Sequence, residues 1–120
     1  MLQATSENFQ SLTGAGVVLV DFYADWCGPC RALSPVLESL QGAKVVKVNV
    51  DQEQALAMKF GVSSIPHLVV LKDGVVQRNM VGLRSQADLQ NVINEARNAL
   101  NDLGKVSVYD DDGNKIGEQG

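Results

Sequence analysis

Apolar residues along the chain switch between a helical and a strand-like spacing, and the switches mark its elements. Ser6 followed by Glu7-Asn8-Phe9-Gln10-Ser11-Leu12 reads as a short capped helix ending before Gly14 and Gly16. Val17 to Ala24 is a near-continuous apolar run of β-branched and aromatic side chains, as in a strand covered on both faces. Cys30, Leu33, Leu37 and Leu40 then recur at helical spacing, with Pro29 suited to the first turn and Gly42 after the end. Pro35 inside this helix predicts a kink, because its ring removes a backbone donor and crowds the preceding turn. Lys44 to Val50 reads as a second strand and Gln54 to Phe60 as a short helix closed by Gly61. Leu68-Val69-Val70-Leu71 and Val75-Val76-Gln77-Arg78 flank Lys72-Asp73-Gly74, a hairpin signal. Ser85 caps a last helix that places Leu89, Val92, Ile93, Ala96 and Leu100 on one face. Alternating strands and helices, followed by a hairpin and a helix, predict an α/β domain with a mixed sheet covered on both faces.

Two charges interrupt this pattern. Asp21 sits inside Val17-Val18-Leu19-Val20-Asp21-Phe22-Tyr23, and Lys47 inside Val45-Val46-Lys47-Val48. Burying either alone is costly, so each faces solvent at a strand edge or needs a partner. Paired across adjacent parallel strands beneath the cysteine helix, they would form a polar unit, and desolvation of Asp21 would suit it to act as general base for Cys30. Pro66, which cannot donate to a sheet ladder, belongs at the first residue or edge of the following strand.

The chain holds two cysteines, Cys27 and Cys30, in the run Asp25-Trp26-Cys27-Gly28-Pro29-Cys30-Arg31. A bridge closing so short a loop restricts the unfolded chain little, roughly 1.9 kcal/mol against ~3 for fifteen residues, so a structural role is a poor explanation. A zinc site needs about four ligands, and the single histidine, His67, cannot complete one with two cysteines; no metal is expected. A pair cycling between dithiol and disulfide fits, and needs no further cofactor. Residues at i and i+3 share a helix face within reach of a bridge, and the helix N-terminus favours thiolate over thiol. Cys27, at the helix start, feels this most and is expected to be the more exposed thiol and the nucleophile, with Cys30 the resolving thiol.

With 120 residues, 45% hydrophobic and 20% charged, the chain is sized for one domain with an ordinary core. A net charge of −4 with no basic cluster argues against nucleic-acid binding. The longest clean apolar run, Val17-Val18-Leu19-Val20, is far too short to span a membrane. No basic-then-apolar leader opens the sequence, so a cytoplasmic location is expected, an organelle reached through a removed presequence being the alternative.

Together these residues resemble the thioredoxin family over about residues 2–100. The matching pieces are Asp21-Phe22-Tyr23-Ala24-Asp25-Trp26-Cys27-Gly28-Pro29-Cys30, Pro35, Lys47-Val48-Asn49-Val50-Asp51, Ile65-Pro66 and Val81-Gly82. The resemblance implies the thioredoxin fold with a central five-stranded mixed sheet, a cis bond before Pro66, and reduction of disulfide-containing protein substrates. It implies recharging by a thioredoxin reductase, an NADPH-dependent flavoprotein or a ferredoxin-linked enzyme. It also places Trp26, Gly28, Pro29, Ile65, Pro66 and Gly82 on a flat apolar docking surface. Two other readings use the same scaffold: a disulfide isomerase or oxidant, and a binding subunit whose redox activity is incidental.

Three features depart from the family pattern. Tyr23 stands where many relatives carry tryptophan, and His67 follows Pro66 where threonine is usual; a hydrogen-bonded structural role is expected of this histidine. Residues 102–120 form an acidic extension beyond a domain of residues 1–101. Residues 1–100 carry nine acidic and eight basic side chains, residues 101–120 five and two. Alternation in Lys105-Val106-Ser107-Val108-Tyr109 and Lys115-Ile116-Gly117, around an Asp/Gly/Asn turn, suggests a β-hairpin. The turn lacks the ligand spacing of a calcium loop, with Val108 and Gln119 at the first and twelfth positions. A monomer is expected, with the extension covering a sheet edge or joining two chains.

Overall fold

The buried run Val17–Tyr23 becomes the central strand of a five-stranded sheet. A computed structural model describes residues 1–99, 106–109 and 115–119. In chain order the elements are β1 (Leu2–Gln3), α1 (Phe9–Thr13), β2 (Val17–Tyr23), α2 (Gly28–Glu38), β3 (Lys44–Asn49), α3 (Gln54–Lys59), β4 (His67–Lys72), β5 (Val75–Val81), α4 (Gln86–Asn98), β6 (Val106–Tyr109) and β7 (Lys115–Gln119). The sheet order is β1-β3-β2-β4-β5. β3 runs parallel to β1 and β2, while β4 is antiparallel to both β2 and β5.

Alternation along β2 divides two cores. Leu19 faces α2 and α4, packing with Leu33, Leu37, Leu68, Leu89 and Ile93. Val18, Val20 and Phe22 face α1 and α3, packing with Phe9, Val46, Val48, Leu56 and Val69. Both faces of β2 are therefore dry, as its unbroken apolar sequence requires. The β4–β5 connection is a two-residue turn in which Asp73 and Gly74 both have positive φ, 51° and 82°. That conformation explains the Asp-Gly pair, since it matches the strand twist and glycine adopts it without strain.

Several boundaries differ from the sequence reading. Helix α1 begins at Phe9 with Asn8 as its cap; the Ser6 hydroxyl and N–H both donate to Glu53 Oε1, at 3.4 and 2.8 Å, tying the first loop to the start of α3. Helix α2 stops at Glu38, so Leu40 reaches its core from the loop beyond. The helix runs unbroken past Pro35. Strand β1 was not predicted: two exposed residues carry too little pattern to register. β6 and β7 pair antiparallel as a separate two-stranded sheet. The turn at 110–114 and the expected domain boundary at 101/102 lie outside the described residues. Among those described, no helix is long and apolar enough to cross a membrane.

Candidate active site

The cysteines lie where β2 hands over to α2. Cys27 is the N-cap of α2, with extended backbone, and Pro29 falls in the first turn where its missing N–H is no loss. The two sulfurs are joined in a disulfide, with Cα atoms 5.3 Å apart. The Cys30 backbone N–H donates to Cys27 Sγ at 3.2 Å. A sulfur at an N-cap that accepts a backbone N–H sits at the positive end of the helix dipole, and the same contact favours its thiolate once the bridge opens. Cys30 Sγ lies one turn inside. With the bridge closed, residue exposure separates the pair only slightly, 5% for Cys27 and 3% for Cys30, and the helix dipole and capping bond separate them further.

Trp26 is 69% exposed and anchored at its far edge, its Nε1–H donating to Asp51 Oδ2 at 2.8 Å. Asp51 is held in turn by its N–H to Asn49 Oδ1, 2.9 Å, from the end of β3. Gly28 and Pro29 are exposed, Ile65 and Gly82 half-buried, and Pro66 buried. Pro66 thus contributes no exposed surface beside them. The Ile65–Pro66 bond is cis, and the Ile65 carbonyl lies 4.0 Å from Cys27 Sγ. The Gly82 N–H donates to the Pro66 carbonyl at 2.8 Å, with Gly82 at φ +94°, so two distant loops meet beside the sulfurs. Leu83, one residue beyond, is 57% exposed, and the sequence reading did not single it out. An apolar residue following a glycine in a loop was its only signal.

Asp21 and Lys47 are register partners on adjacent parallel strands, on the sheet face that carries α2. Asp21 is completely buried, and neither carboxylate oxygen has a hydrogen-bond partner among the described residues. Burial pushes its carboxyl up to about 6, opposed in part by the Lys47 ammonium. The expected pairing holds in register but not in contact: among the described residues the only ion pair within 4.0 Å joins Arg78 and Glu95. A cleft of about 110 Å³ is lined by Tyr23, Cys30, Arg31, Ser34 and Lys47, with Ala24 and Asp25 completing it. It brings Cys30 and Lys47 to one space large enough for water.

His67 is buried at the start of β4, its Nε2 3.0 Å from Asn79 Oδ1 and its ring edge-on to Phe22 at 6.0 Å. These contacts fit the structural role expected of it, although its Nδ1 has no hydrogen-bond partner among the described residues.

A sequence model of the thioredoxin family matches residues 1–95. Thioredoxin of Bacillus subtilis is 46% identical over 100 residues, spanning 79% of this chain and 96% of its own. Thioredoxin of Chlamydia caviae is 46% identical over 95 residues, spanning 76% and 93%. The solved structure of a mutant thioredoxin from Halobacterium salinarum superposes with a TM-score of 0.77 at 37% identity, covering 83% of this chain and 93% of that one.

Proposed function

The chain belongs to the thioredoxin family and is a thiol–disulfide oxidoreductase that reduces protein disulfides; from that premise we propose how its residues divide the reaction. The reduced Cys27 thiolate attacks one sulfur of a target disulfide, forming a Cys27–target bond as the other target sulfur leaves as thiolate. Cys30 then loses its proton and attacks Cys27 Sγ, closing the Cys27–Cys30 disulfide and releasing the second target thiolate. Two electrons pass from the dithiol to the target. Asp21, the register partner of Lys47, takes the Cys30 proton directly or through water. The observation that carries this division is the N-cap position of Cys27, whose sulfur receives the Cys30 N–H.

Trp26, Gly28, Pro29, Ile65 and Gly82, seated on Pro66, form the face that receives the target. Gly28 supports this reading: a Cβ there would meet nothing within 4 Å, so the fold itself does not demand glycine. A flat approach by another chain does. A thioredoxin reductase recharges the disulfide, and the cytoplasm is the proposed location. Insulin reduction tests the whole assignment. The native protein should turn over, Cys27→Ser should not, and Trp26→Ala should raise KM for insulin while sparing a small aromatic disulfide. Full activity in Cys27→Ser would overturn it.

The extension plays no part in this chemistry, since every residue invoked lies before position 84. Truncation after Asn101 is expected to leave the rate with a small disulfide within about twofold, which stopped-flow measurement checks. A truncated chain that folds normally but fails to react would place the extension in the site.

A further inference from the structure

Lys47 stands between two possible partners. In register, Gln3, Lys47 and Asp21 form one row across β1, β3 and β2. The Lys47 ammonium lies 4.1 Å from the centre of the Tyr23 ring and makes no ion pair within 4.0 Å among the described residues. Tyr23 is itself fixed, because Gln3 Nε2 donates to its hydroxyl at 2.8 Å, reaching across the β3 strand that carries Lys47. The ring forms one wall of the cleft that holds Cys30. Ammonium over an aromatic face is a favourable contact, and it competes with the carboxylate for the same charge.

We propose that Tyr23, held by Gln3, is a positioning residue for the release step: its ring keeps the Lys47 ammonium at the cleft and off the Asp21 carboxylate, which stays unpaired and free to accept the Cys30 proton. The inference rests on Asp21 as the base. An ammonium bonded directly to a buried carboxylate would hold it as an ion pair and weaken it as a proton acceptor. The charged or titratable groups lining this cleft are Tyr23 on β2, Lys47 on β3, Cys30 and Arg31 on α2, and Asp25 in the loop between β2 and α2; Asp21 lies buried on β2 as the register partner of Lys47. Arg31 is committed elsewhere, its Nη1 donating to the Asp25 carbonyl at 2.8 Å.

The test uses the full chain with Tyr23→Leu, which removes ring and hydroxyl, and Tyr23→Trp, which restores an aromatic face. Infrared titration of the Asp21 carboxyl and single-turnover insulin reduction are followed from pH 5 to 9. In Tyr23→Leu the titration midpoint should fall and the release step should slow about tenfold at pH 7, as expected for a weaker base; Tyr23→Trp should restore both. An unchanged or raised midpoint in Tyr23→Leu would overturn the proposal, because Lys47 would then not have moved onto Asp21. Should Tyr23→Leu fail to fold, Gln3→Leu, at an exposed position, must lower the midpoint in the same direction, and no shift there overturns it. The underlying reading fails separately: if Asp21→Asn turns over normally, Asp21 is not the base, whatever the midpoint does in Tyr23→Leu.

Discussion

Cys30→Ser is expected to stop the reaction at a mixed disulfide between Cys27 and its target. The substitution removes the resolving thiol but keeps the residue-30 backbone N–H, which donates to Cys27 Sγ at 3.2 Å. The activation of Cys27 therefore survives, and the first exchange proceeds. With no second thiol to attack Cys27 Sγ, the complex persists until an external thiol releases it. Multiple turnover should fall on the order of 10³-fold or more, as when a covalent step loses an essential group. Mass spectrometry of the trapped species should place the target on Cys27. The two residues differ little in exposure with the bridge closed, so residue burial alone does not fix the order of attack. The dipole and the capping bond favour Cys27. A target attached to Cys30 in Cys27→Ser, with none trapped by Cys30→Ser, would reverse the order.

The chemistry was legible because it is local. Cys27, Gly28, Pro29 and Cys30 lie within one turn, so sequence spacing alone places them on a helix start, and no long-range contact is needed to read it. The central strand was legible for a similar reason, since only a strand dry on both faces reads as an unbroken apolar run. Asp21 and Lys47 stood out as violations of that rule. Their register followed from parallel pairing, but the fate of the Lys47 ammonium did not: it depends on Gln3 and Tyr23, and the two-residue strand that carries Gln3 has no pattern to detect. Ser6 was misread because a residue with good capping chemistry was recruited by Glu53, a partner 47 positions away. Exposure of the residues proposed for docking was equally out of reach. Whether Pro66 lies on the face or beneath it depends on how its loop meets the loop carrying Gly82 and Leu83, a contact that no local period encodes.

Asp21→Asn should separate the catalytic and the stability roles of the buried acid, and pH gives each a distinct signature. As base for Cys30, Asp21 contributes when ionised, so the variant should release target about tenfold to a hundredfold more slowly at pH 7, with water as the remaining acceptor. Unchanged turnover from pH 6 to 9 would remove Asp21 from the reaction. The stability effect has the opposite sign. Folding raises the Asp21 pKa from 3.8 to about 6, so between those values the folded state binds more protons than the unfolded state. Stability of the native protein should then fall as pH rises through this window, by about 3 kcal/mol from this group, and stay lowered above it. Asparagine carries no proton to lose. Its amide is also buried without an assured partner, which sets a constant offset between the two proteins. That offset does not depend on pH, and the other carboxylates cancel in the comparison. Urea unfolding at pH 4 and pH 7 should therefore show Asp21→Asn gaining on the native protein by about 2 kcal/mol across the interval, because the unfolded carboxyl is already more than half ionised at pH 4, whichever protein is the more stable there. A constant difference at the two pH values would mean that folding leaves the proton affinity of Asp21 unchanged, and the dry, unpaired carboxylate beneath the cysteine helix would have no energetic reality.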